Sequence, residues 1–464
     1  MARTDRPNIL VLMSDEHRAD VAGFAGNRVI RTPCLDALSA DAAIFEAAYT
    51  PSPICVPARQ CLAVGQLPTT CGVERYGQDL PPDALTFAKH FQRHGYYTVC
   101  CGKLHHDGPD QMQGWQRRIG SNTRRPFGSV DGRHEPAFAG LSPRNDYGVV
   151  PKDVWEVRRA GVGRGSATHI PDEIAQLGAV RYIESHFADP YYDRHAAGVP
   201  TMLMVSFNRP HYPYLTDERR FTYYLNRVEP YVDQVPPDHP FLASHAVRVG
   251  EDVTEREAKR ATAAYYGMIE EVDHDFGVVL DALDRVGQDL DDWIVIFTSD
   301  HGEMLGQHGV WEKQVFYEGS ARVPLMLRWP NGGVRATRHG SCVSLCDLYP
   351  TLCDLAGLPQ PDPAAMPNGR AMDGRSLARL ICNGVDPELE DEAVSQFDGR
   401  HLMIRRGSMK YMLLGESDDR GRRERLFDLK SDPDELHDLM DSTAVASQVA
   451  ALRRRAADLG FVAP

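Results

Sequence analysis

The chain has 464 residues, of which 42% are hydrophobic and 25% are charged. This composition is that of a globular protein, and it excludes disordered and collagen-like chains. The formal net charge of −14 disfavours binding to phosphate backbones, so we expect no nucleic-acid partner.

No stretch of the sequence reaches the roughly 18 consecutive apolar residues that a transmembrane helix needs, so we expect no association with a membrane. Near the N-terminus, the apolar run of residues 9–13 is short for a signal peptide and is typical of a first strand. Ten cysteines without a Cys-x-x-Cys pair indicate free thiols rather than a disulfide framework. We therefore expect a cytoplasmic protein.

The elements predicted for the first 350 residues alternate between strands and helices. Four short apolar runs have the pattern of buried parallel strands: residues 8–13, 96–101, 201–207 and 293–298. Helical patterns lie between them, opening at Thr32-Pro33 and covering residues 83–94, 172–187 and 254–286. This alternation predicts a doubly wound α/β sheet covered by helices.

The last part of the chain has a different pattern. Residues 358–374 are rich in Pro, Gly and Asp and indicate a linker or surface loop. Beyond them, residues 401–405 and 409–414 predict a hairpin, residues 426–429 a short strand, and Ser431-Asp432-Pro433 the start of a final helix. We therefore predict an α/β domain over residues 1–375 and a smaller C-terminal α+β subdomain over residues 376–464.

Charged and imidazole side chains follow every one of the four predicted strands. In open α/β sheets, ligands bind beyond the carboxyl ends of the strands, so these side chains are candidates for a common site. Asp15, Glu16, Asp300 and His301 would provide several oxygen ligands and one nitrogen, a set that suits a hard or borderline divalent cation. The other candidates after these strands are Lys103, His105, His106, Arg209 and His211.

A further candidate is Cys55 in the segment Cys55-Val56-Pro57-Ala58-Arg59. Pro57 is typical of a first helical turn, and Gly65 is a suitable residue to end the helix. Cys55 would then lie at a helix N-terminus, where backbone amides and the helix dipole favour an anionic oxygen or sulfur.

These motifs together resemble the formylglycine-dependent sulfatases of the alkaline phosphatase superfamily. Cys55-x-Pro57-x-Arg59 is similar to the signature in which the cysteine is oxidised to formylglycine. The other matching segments occur in the family's order: Arg6-Pro7-Asn8-Ile9-Leu10 running into Asp15, Gly102-Lys103-Leu104-His105, Arg209-Pro210-His211-x-Pro213, Ser299-Asp300-His301-Gly302-Glu303 with Lys313, and Leu426-Phe427-Asp428-Leu429 with Asp432-Pro433.

The resemblance implies an alkaline-phosphatase-like fold, with a large, mostly parallel sheet between helices. It also implies a sulfuric ester hydrolase that uses the formylglycine derived from Cys55 as nucleophile and one divalent metal ion, Ca²⁺ or Mn²⁺. The metal ligands would be Asp15, Glu16, Cys55, Asp300 and His301. The other catalytic residues would be Arg59, Lys103, His105, His211 and Lys313. His211, alone or with Lys313, would protonate the leaving group, and His105 would act on the second hydroxyl.

Within the family, segments 108–114 and Trp311-x-Lys313 resemble the choline-sulfatase branch, and the Asp300-His301 pair also resembles phosphonate monoester hydrolases. The expected substrate is a small anionic alkyl or aryl sulfate ester, with choline sulfate as one candidate. The alternative is a phosphonate monoester or phosphodiester hydrolase with the same machinery. The resemblance further implies a homo-oligomer and a transient encounter with a formylglycine-generating enzyme.

Overall fold

The computed structural model describes residues 6–106, 108–120, 151–163, 165–187, 198–415 and 423–462. Within them the strands are β1 (Asn8–Asp15), β2 (Ala42–Tyr49), β3 (Tyr97–Gly102), β4 (Arg117–Ile119), β5 (Gly161–Val162), β6 (Thr201–Pro210), β7 (Leu215–Thr216), β8 (Trp293–Ser299), β9 (Leu325–Arg328), β10 (Thr337–Ser344), β11 (Glu392–Phe397), β12 (His401–Arg406), β13 (Met409–Leu413) and β14 (Glu424–Asp428).

The α-helices in the same ranges are Pro33–Ser39, Cys55–Val64, Pro68–Cys71, Phe87–Arg93, Lys152–Arg158, His169–Phe187, Glu218–Leu225, Glu255–Arg285, Glu318–Ala321, Leu348–Leu355, Ala378–Asn383 and Ala446–Asp458. None of the described helices combines the length and the apolar character needed to cross a membrane.

Eight strands form the central sheet, in the order β10-β2-β9-β8-β1-β6-β3-β4. Only β9 runs antiparallel to its neighbours among the described pairings; the other pairs are parallel. The four strands predicted from apolar runs, β8, β1, β6 and β3, are adjacent in this sheet. The predicted α/β fold is therefore confirmed, and the carboxyl ends of these four strands meet at one edge.

Both faces of the sheet are buried. Because successive side chains of a strand point to opposite faces, Ile9, Val11 and Met13 pack on one side while Leu10 and Leu12 pack on the other. The first side is covered by helices 55–64, 87–93 and 348–355. The second is covered by helices 33–39, 169–187 and 255–285. Burial on both faces explains why the strands are continuously apolar.

The C-terminal strands form a separate antiparallel sheet in the order β11-β12-β13-β14. Ile404 on one face of this sheet belongs to the same core as the helix that begins at Cys55, and Met403 on the other packs in a second cluster with Tyr49. The small α+β unit thus exists and shares apolar contacts with the large sheet. The division at residue 375 stays a prediction.

The predicted helix start at Ser431 is wrong, since the last helix begins at Ala446. Asp432 accepts hydrogen bonds from the backbone amides of Leu436 and His437 and so closes a turn. Glu435 has a positive φ of 56°, which is incompatible with a right-handed helix. Its carboxylate pairs with buried Lys410 at 2.8 Å, so a long-range ion pair accompanies the local break.

Candidate active site

The edge formed by β8, β1, β6 and β3 gathers most of the predicted site. Asp15 is the last residue of β1, and Asp300 directly follows β8. Lys103 directly follows β3, and His211 directly follows β6. Because these four strands are parallel neighbours, residues separated by almost 300 positions in the chain come together.

Cys55 is the first residue of the helix Cys55–Val64, as the sequence predicts, and its side chain is buried. Its Sγ lies 3.2 Å from Nε2 of His301. Burial raises the pKa of the Cys55 thiol, and the charge of Asp15 raises it further. The unmodified thiol is therefore protonated at neutral pH and is a poor nucleophile.

Four of the five predicted metal ligands form one group. Asp15, Cys55, Asp300 and His301 each offer a ligand atom, and these atoms all lie within 4.8 Å of one another. Nε2 of His301 is 3.5 Å from Oδ1 of Asp15 and 3.7 Å from Oδ1 of Asp300. We refer to these four residues as the ligand group.

The protonation and burial of the ligand group suit a cation. Nδ1 of His301 donates to the carbonyl of Gly302 at 3.0 Å, which leaves the lone pair on Nε2 facing the group. Oδ1 of Asp15 is buried and has no hydrogen-bond partner among the described residues. An orphaned buried carboxylate oxygen is costly unless a ligand satisfies it. The donor set therefore fits a divalent cation.

Arg59 connects the Cys55 helix to the strand ends. Its Nε donates to Oδ2 of Asp300 at 2.6 Å, and its Nη1 donates to the Lys103 carbonyl and to Oγ of Ser206, both at 2.9 Å. Burial alone would raise the pKa of Asp300, but the charges of Arg59, His301 and Lys103 together with the Arg59 hydrogen bond outweigh burial, and the pKa is lowered. Asp300 is thus held as a carboxylate beside the sulfur of Cys55.

Two buried ammonium groups flank the ligand group. Nζ of Lys103 donates to Oδ2 of Asp15, and Nζ of Lys313 donates to Oε2 of Glu16 at 2.6 Å. Burial would lower the pKa of Lys103, yet the charges of Asp15, Cys55 and Asp300 together overcome burial and raise the pKa. Both lysines place positive charge in a buried site, where it would act strongly on a bound anion.

Glu16, the fifth predicted ligand, lies outside the ligand group among the described residues. Its Oε2 accepts from Lys313 and lies 3.6 Å from Nε2 of His211. Nδ1 of His211 donates to the carbonyl of Tyr212 at 2.7 Å. Burial, followed by the charges of Lys313 and Lys103, lowers the pKa of His211 well below its usual value.

His105 lies two residues beyond Lys103 in the segment after β3. It is buried, has a positive φ of 59°, and its Nε2 lies 3.4 Å from the hydroxyl of Tyr76. The ring of Tyr76 meets the imidazole edge to face, with centroids 5.4 Å apart. Neighbouring His106 is also buried, and its Nδ1 lies 2.8 Å from Nε2 of Gln60.

Tyr265, which holds the backbone next to the site, was not identified from the sequence. Tyr265, on the helix Glu255–Arg285, donates to the carbonyl of Glu16 at 2.6 Å and accepts from the Arg18 amide at 2.8 Å. It is one of several buried residues on this helix. No feature of the sequence separates it from an ordinary core tyrosine.

A second missed feature is a charged cluster beside His211. Lys152 donates to both carboxylate oxygens of Glu312, at 2.9 and 2.8 Å, and to the hydroxyl of Tyr212. Asp153 and His245 complete the cluster, with His245 Nδ1 3.3 Å from a carboxylate oxygen of Asp153. Of these residues, Tyr212 and Glu312 stand within the motifs Arg209-Pro210-His211-x-Pro213 and Trp311-x-Lys313, but at positions that the motifs leave variable, and Lys152, Asp153 and His245 belong to no motif.

A comparison with models of protein families identifies the family of this chain. The family model described as Sulfatase matches residues 7–358, which covers three quarters of the chain and all the site residues named above. The chain belongs to the sulfatase family. A second model, described as N-sulphoglucosamine sulphohydrolase, C-terminal, matches residues 306–460. This sulfatase is accordingly a sulfuric ester hydrolase, and the predicted resemblance is confirmed.

Similar proteins agree with this assignment. The sulfatase is 32% identical to choline-sulfatase of Rhizobium meliloti over 450 residues, which cover 95% of this chain and 83% of that protein. Among solved structures, phosphonate monoester hydrolase of Agrobacterium radiobacter superposes with a TM-score of 0.77 at 24% identity, covering 98% of this chain and 95% of that one. A sulfatase-like fold is also seen in a protein solved with its substrate D-glucosamine-2-N,6-O-disulfate, at a TM-score of 0.75 and 20% identity, covering 98% and 97%.

Proposed function

We propose that this sulfatase hydrolyses small alkyl or aryl sulfate esters through a formylglycine formed from Cys55. The observation that carries the proposal is the position of Cys55: a buried residue at a helix N-terminus, in one group with Asp15, Asp300 and His301. In the absence of a bound cation, burial raises the pKa of the unmodified thiol and makes it a poor nucleophile. An aldehyde hydrate at this position carries two hydroxyls on one carbon, so one can attack the ester and the other can help to expel sulfate.

The ligand group would hold one divalent cation, Ca²⁺ or Mn²⁺. Carboxylate oxygens favour Ca²⁺, whereas the imidazole nitrogen of His301 favours a softer ion such as Mn²⁺. A bound cation lowers the pKa of a hydroxyl at Cys55 and neutralises charge on the ester. Arg59 keeps Asp300 charged and in place for this purpose.

Lysine and histidine side chains would carry out the remaining steps. Lys103 and Lys313 hold the sulfuryl oxygens and stabilise the negative charge that develops on them. His211, alone or with Lys313, protonates the leaving oxygen. Nδ1 of His211 is committed to the Tyr212 carbonyl, so Nε2 is the atom that would carry this proton, and the negative charge of a bound ester would offset the lowered pKa of His211. His105 takes the proton of the second hydroxyl, which releases sulfate and regenerates the aldehyde.

The burial of Cys55 limits when its proposed partner, a formylglycine-generating enzyme, can act on it. Only 3% of Cys55 is exposed in the folded chain, so another enzyme could not reach its sulfur there. We infer that conversion precedes the packing of helix 55–64 against the sheet. Protein for functional tests should therefore be produced together with the modifying enzyme.

Mass spectrometry of the peptide that contains Cys55, combined with a substrate panel, tests the proposal. Formylglycine at this position should accompany turnover of 4-nitrophenyl sulfate, and Cys55→Ala should abolish turnover without unfolding the protein. Choline sulfate and sugar sulfates in the panel identify the preferred leaving group. Full activity of Cys55→Ala would refute the proposal.

A phosphonate monoester or phosphodiester hydrolase is the second candidate. His301 in the ligand group favours it, because the Asp-His pair resembles that of phosphonate monoester hydrolases, and sulfuryl and phosphoryl groups are nearly isosteric. Values of kcat/KM for an aryl sulfate and for a phenyl phosphonate ester, measured on one preparation, distinguish the two. A phosphonate that is faster by orders of magnitude would replace the sulfate assignment.

A further inference from the structure

We propose that Glu16 is not a metal ligand but a positioning residue, which orients Lys313 and His211 on the leaving-group side of the site. The inference rests on the proposed function for the role of His211. It concerns a residue that the motif alone would assign to the cation, because Glu16 directly follows Asp15.

The backbone of Glu16 is held at both of its polar groups. Its amide donates to Oδ1 of Asp300 at 3.2 Å, and its carbonyl accepts from the hydroxyl of Tyr265 at 2.6 Å. Between these contacts φ is +65°, in the left-handed region that a glutamate rarely adopts. Backbone strain of this kind persists where surrounding contacts enforce it, and it is common at functional sites.

One carboxylate oxygen of Glu16, Oε2, is directed to Lys313 and His211, while the other, Oε1, is buried without a hydrogen-bond partner among the described residues and lies outside the ligand group. Oε2 lies 2.6 Å from Nζ of Lys313 and 3.6 Å from Nε2 of His211. Asp15, by contrast, contributes Oδ1 to the ligand group. The extra methylene of glutamate and the left-handed turn together account for the different destinations of two adjacent carboxylates.

Tyr212 contacts the same pair. Its ring centroid is 4.0 Å from that of His211 and 4.9 Å from Nζ of Lys313. Lys313 and His211 therefore both contact an aromatic ring and the side chain of Glu16, which is fully buried. Removing the negative charge of Glu16 leaves the ammonium of Lys313 without its ion-pair partner and free to move from the leaving oxygen.

Metal content separates the two possible roles of Glu16 without an activity assay. We expect Glu16→Gln to bind as much Ca²⁺ or Mn²⁺ per chain as the wild type, by elemental analysis after dialysis against the ion. Asp15→Asn is the matched control and should lose the ion. A loss in Glu16→Gln equal to that in Asp15→Asn would overturn the proposal and restore Glu16 as a ligand.

A series of aryl sulfates with leaving phenols of different acidity tests the positioning role. Proton donation matters most for poor leaving groups, so Glu16→Gln should lower kcat/KM for phenyl sulfate about tenfold more than for 4-nitrophenyl sulfate. Glu16→Asp, which keeps the charge, should fall between wild type and Glu16→Gln. An equal loss on every ester would overturn the proposal.

The double variant Glu16→Gln/His211→Ala completes the test. If Glu16 acts through His211, its selective effect on poor leaving groups should disappear once His211 is absent. Persistence of the full effect would contradict the proposal. A wild type with formylglycine but no turnover of any sulfate would refute the proposed function, while the metal comparison would still decide whether Glu16 is a ligand.

Discussion

Nε of Arg59 lies 2.6 Å from Oδ2 of Asp300, and this ion pair joins the helix that begins at Cys55 to the carboxyl end of β8. Both side chains are buried. Nη1 of Arg59 reaches the Lys103 carbonyl, directly after β3, and Oγ of Ser206 within β6. One guanidinium thus ties the helix that begins at Cys55 to the segments at β8, β6 and β3.

Two replacements of Arg59 distinguish the effect of its positive charge from the effect of its hydrogen-bond geometry. Arg59→Lys keeps a cation but cannot form the fork of hydrogen bonds, so we expect kcat/KM to fall about 100-fold with the fold intact, which corresponds to about 2.7 kcal/mol of transition-state stabilisation. Arg59→Ala leaves Asp300 buried without its partner and should lower the free energy of unfolding by about 3–5 kcal/mol.

The matched control for Arg59 is Arg338→Lys. Arg338 pairs with Glu46 on the surface, where both side chains are about half exposed, so its replacement should change the free energy of unfolding by less than about 1 kcal/mol. Urea denaturation and kinetics with 4-nitrophenyl sulfate give the two readouts. Equal effects of Arg59→Lys and Arg338→Lys would contradict the role given to Arg59.

Chelation should remove both activity and stability. Without a cation, two carboxylates and His301 face one another in a buried space, so EDTA should lower the melting temperature and abolish sulfate hydrolysis. Addition of Ca²⁺ or Mn²⁺ should restore both, and the better ion identifies the metal. Calorimetry on Asp300→Asn is the control, since its melting temperature should no longer respond to EDTA. Full activity in metal-free protein would contradict the assignment.

Glu312 should make stability depend on pH. Burial, opposed in part by Lys152, raises the pKa of Glu312 from 4.5 to about 7. The folded state then binds this proton more tightly than the unfolded state does. Between about pH 4.5 and pH 7 the contribution of Glu312 to the free energy of unfolding must therefore decrease as the pH rises.

The isosteric variant Glu312→Gln removes this titration. The free energy of unfolding of Glu312→Gln minus that of wild type should increase by up to about 3 kcal/mol as the pH rises from 5 to 8. Urea denaturation of both proteins at the two pH values measures the difference. A difference that is the same at both pH values, or that changes in the opposite direction, would show that Glu312 is charged in the folded protein throughout.

A buried cluster of charged residues links the C-terminal sheet to the short helix Glu318–Ala321. Lys410 on β13 is fully buried and pairs with Glu318 at 2.9 Å and with Glu435 at 2.8 Å. Lys410→Met leaves Glu435 without this cation and Glu318 with Arg322 as its remaining partner at 3.1 Å, and it should destabilise the protein by about 3–5 kcal/mol. Adding Glu318→Gln and Glu435→Gln should recover much of the loss.

The control for Lys410 is an ion pair in the turn between β11 and β12, in which the arginine is mostly exposed. Arg400 pairs with Asp398, and 60% of the Arg400 side chain is exposed, so Arg400→Met should have little effect on stability. Thermal unfolding followed by circular dichroism compares the variants. A small loss in Lys410→Met would mean that solvent reaches the cluster.

Local patterns predicted the parts of the fold that depend on neighbouring residues. Thr254 caps the helix Glu255–Arg285 through a reciprocal capping box with Glu257, and this signal is contained in four consecutive residues. Strand β2 lacked such a signal. Its sequence is rich in alanine, which has low strand propensity, yet it pairs with β9 and β10 inside the sheet, because burial between neighbouring strands outweighs the local preference.

The sequence by itself determined which chemical groups are available and, through the apolar runs, that Asp15, Lys103, His211 and Asp300 would follow parallel strands and share one edge. Helix signals likewise placed Cys55 at an N-terminus. Only the tertiary structure decided which charges pair: Arg59 with Asp300, and Glu16 with Lys313. The presence of an apolar strand and the capped start of a helix such as Glu255–Arg285 depend on residues close together in the chain, whereas ion pairing depends on distances of a few ångströms between atoms that are hundreds of residues apart.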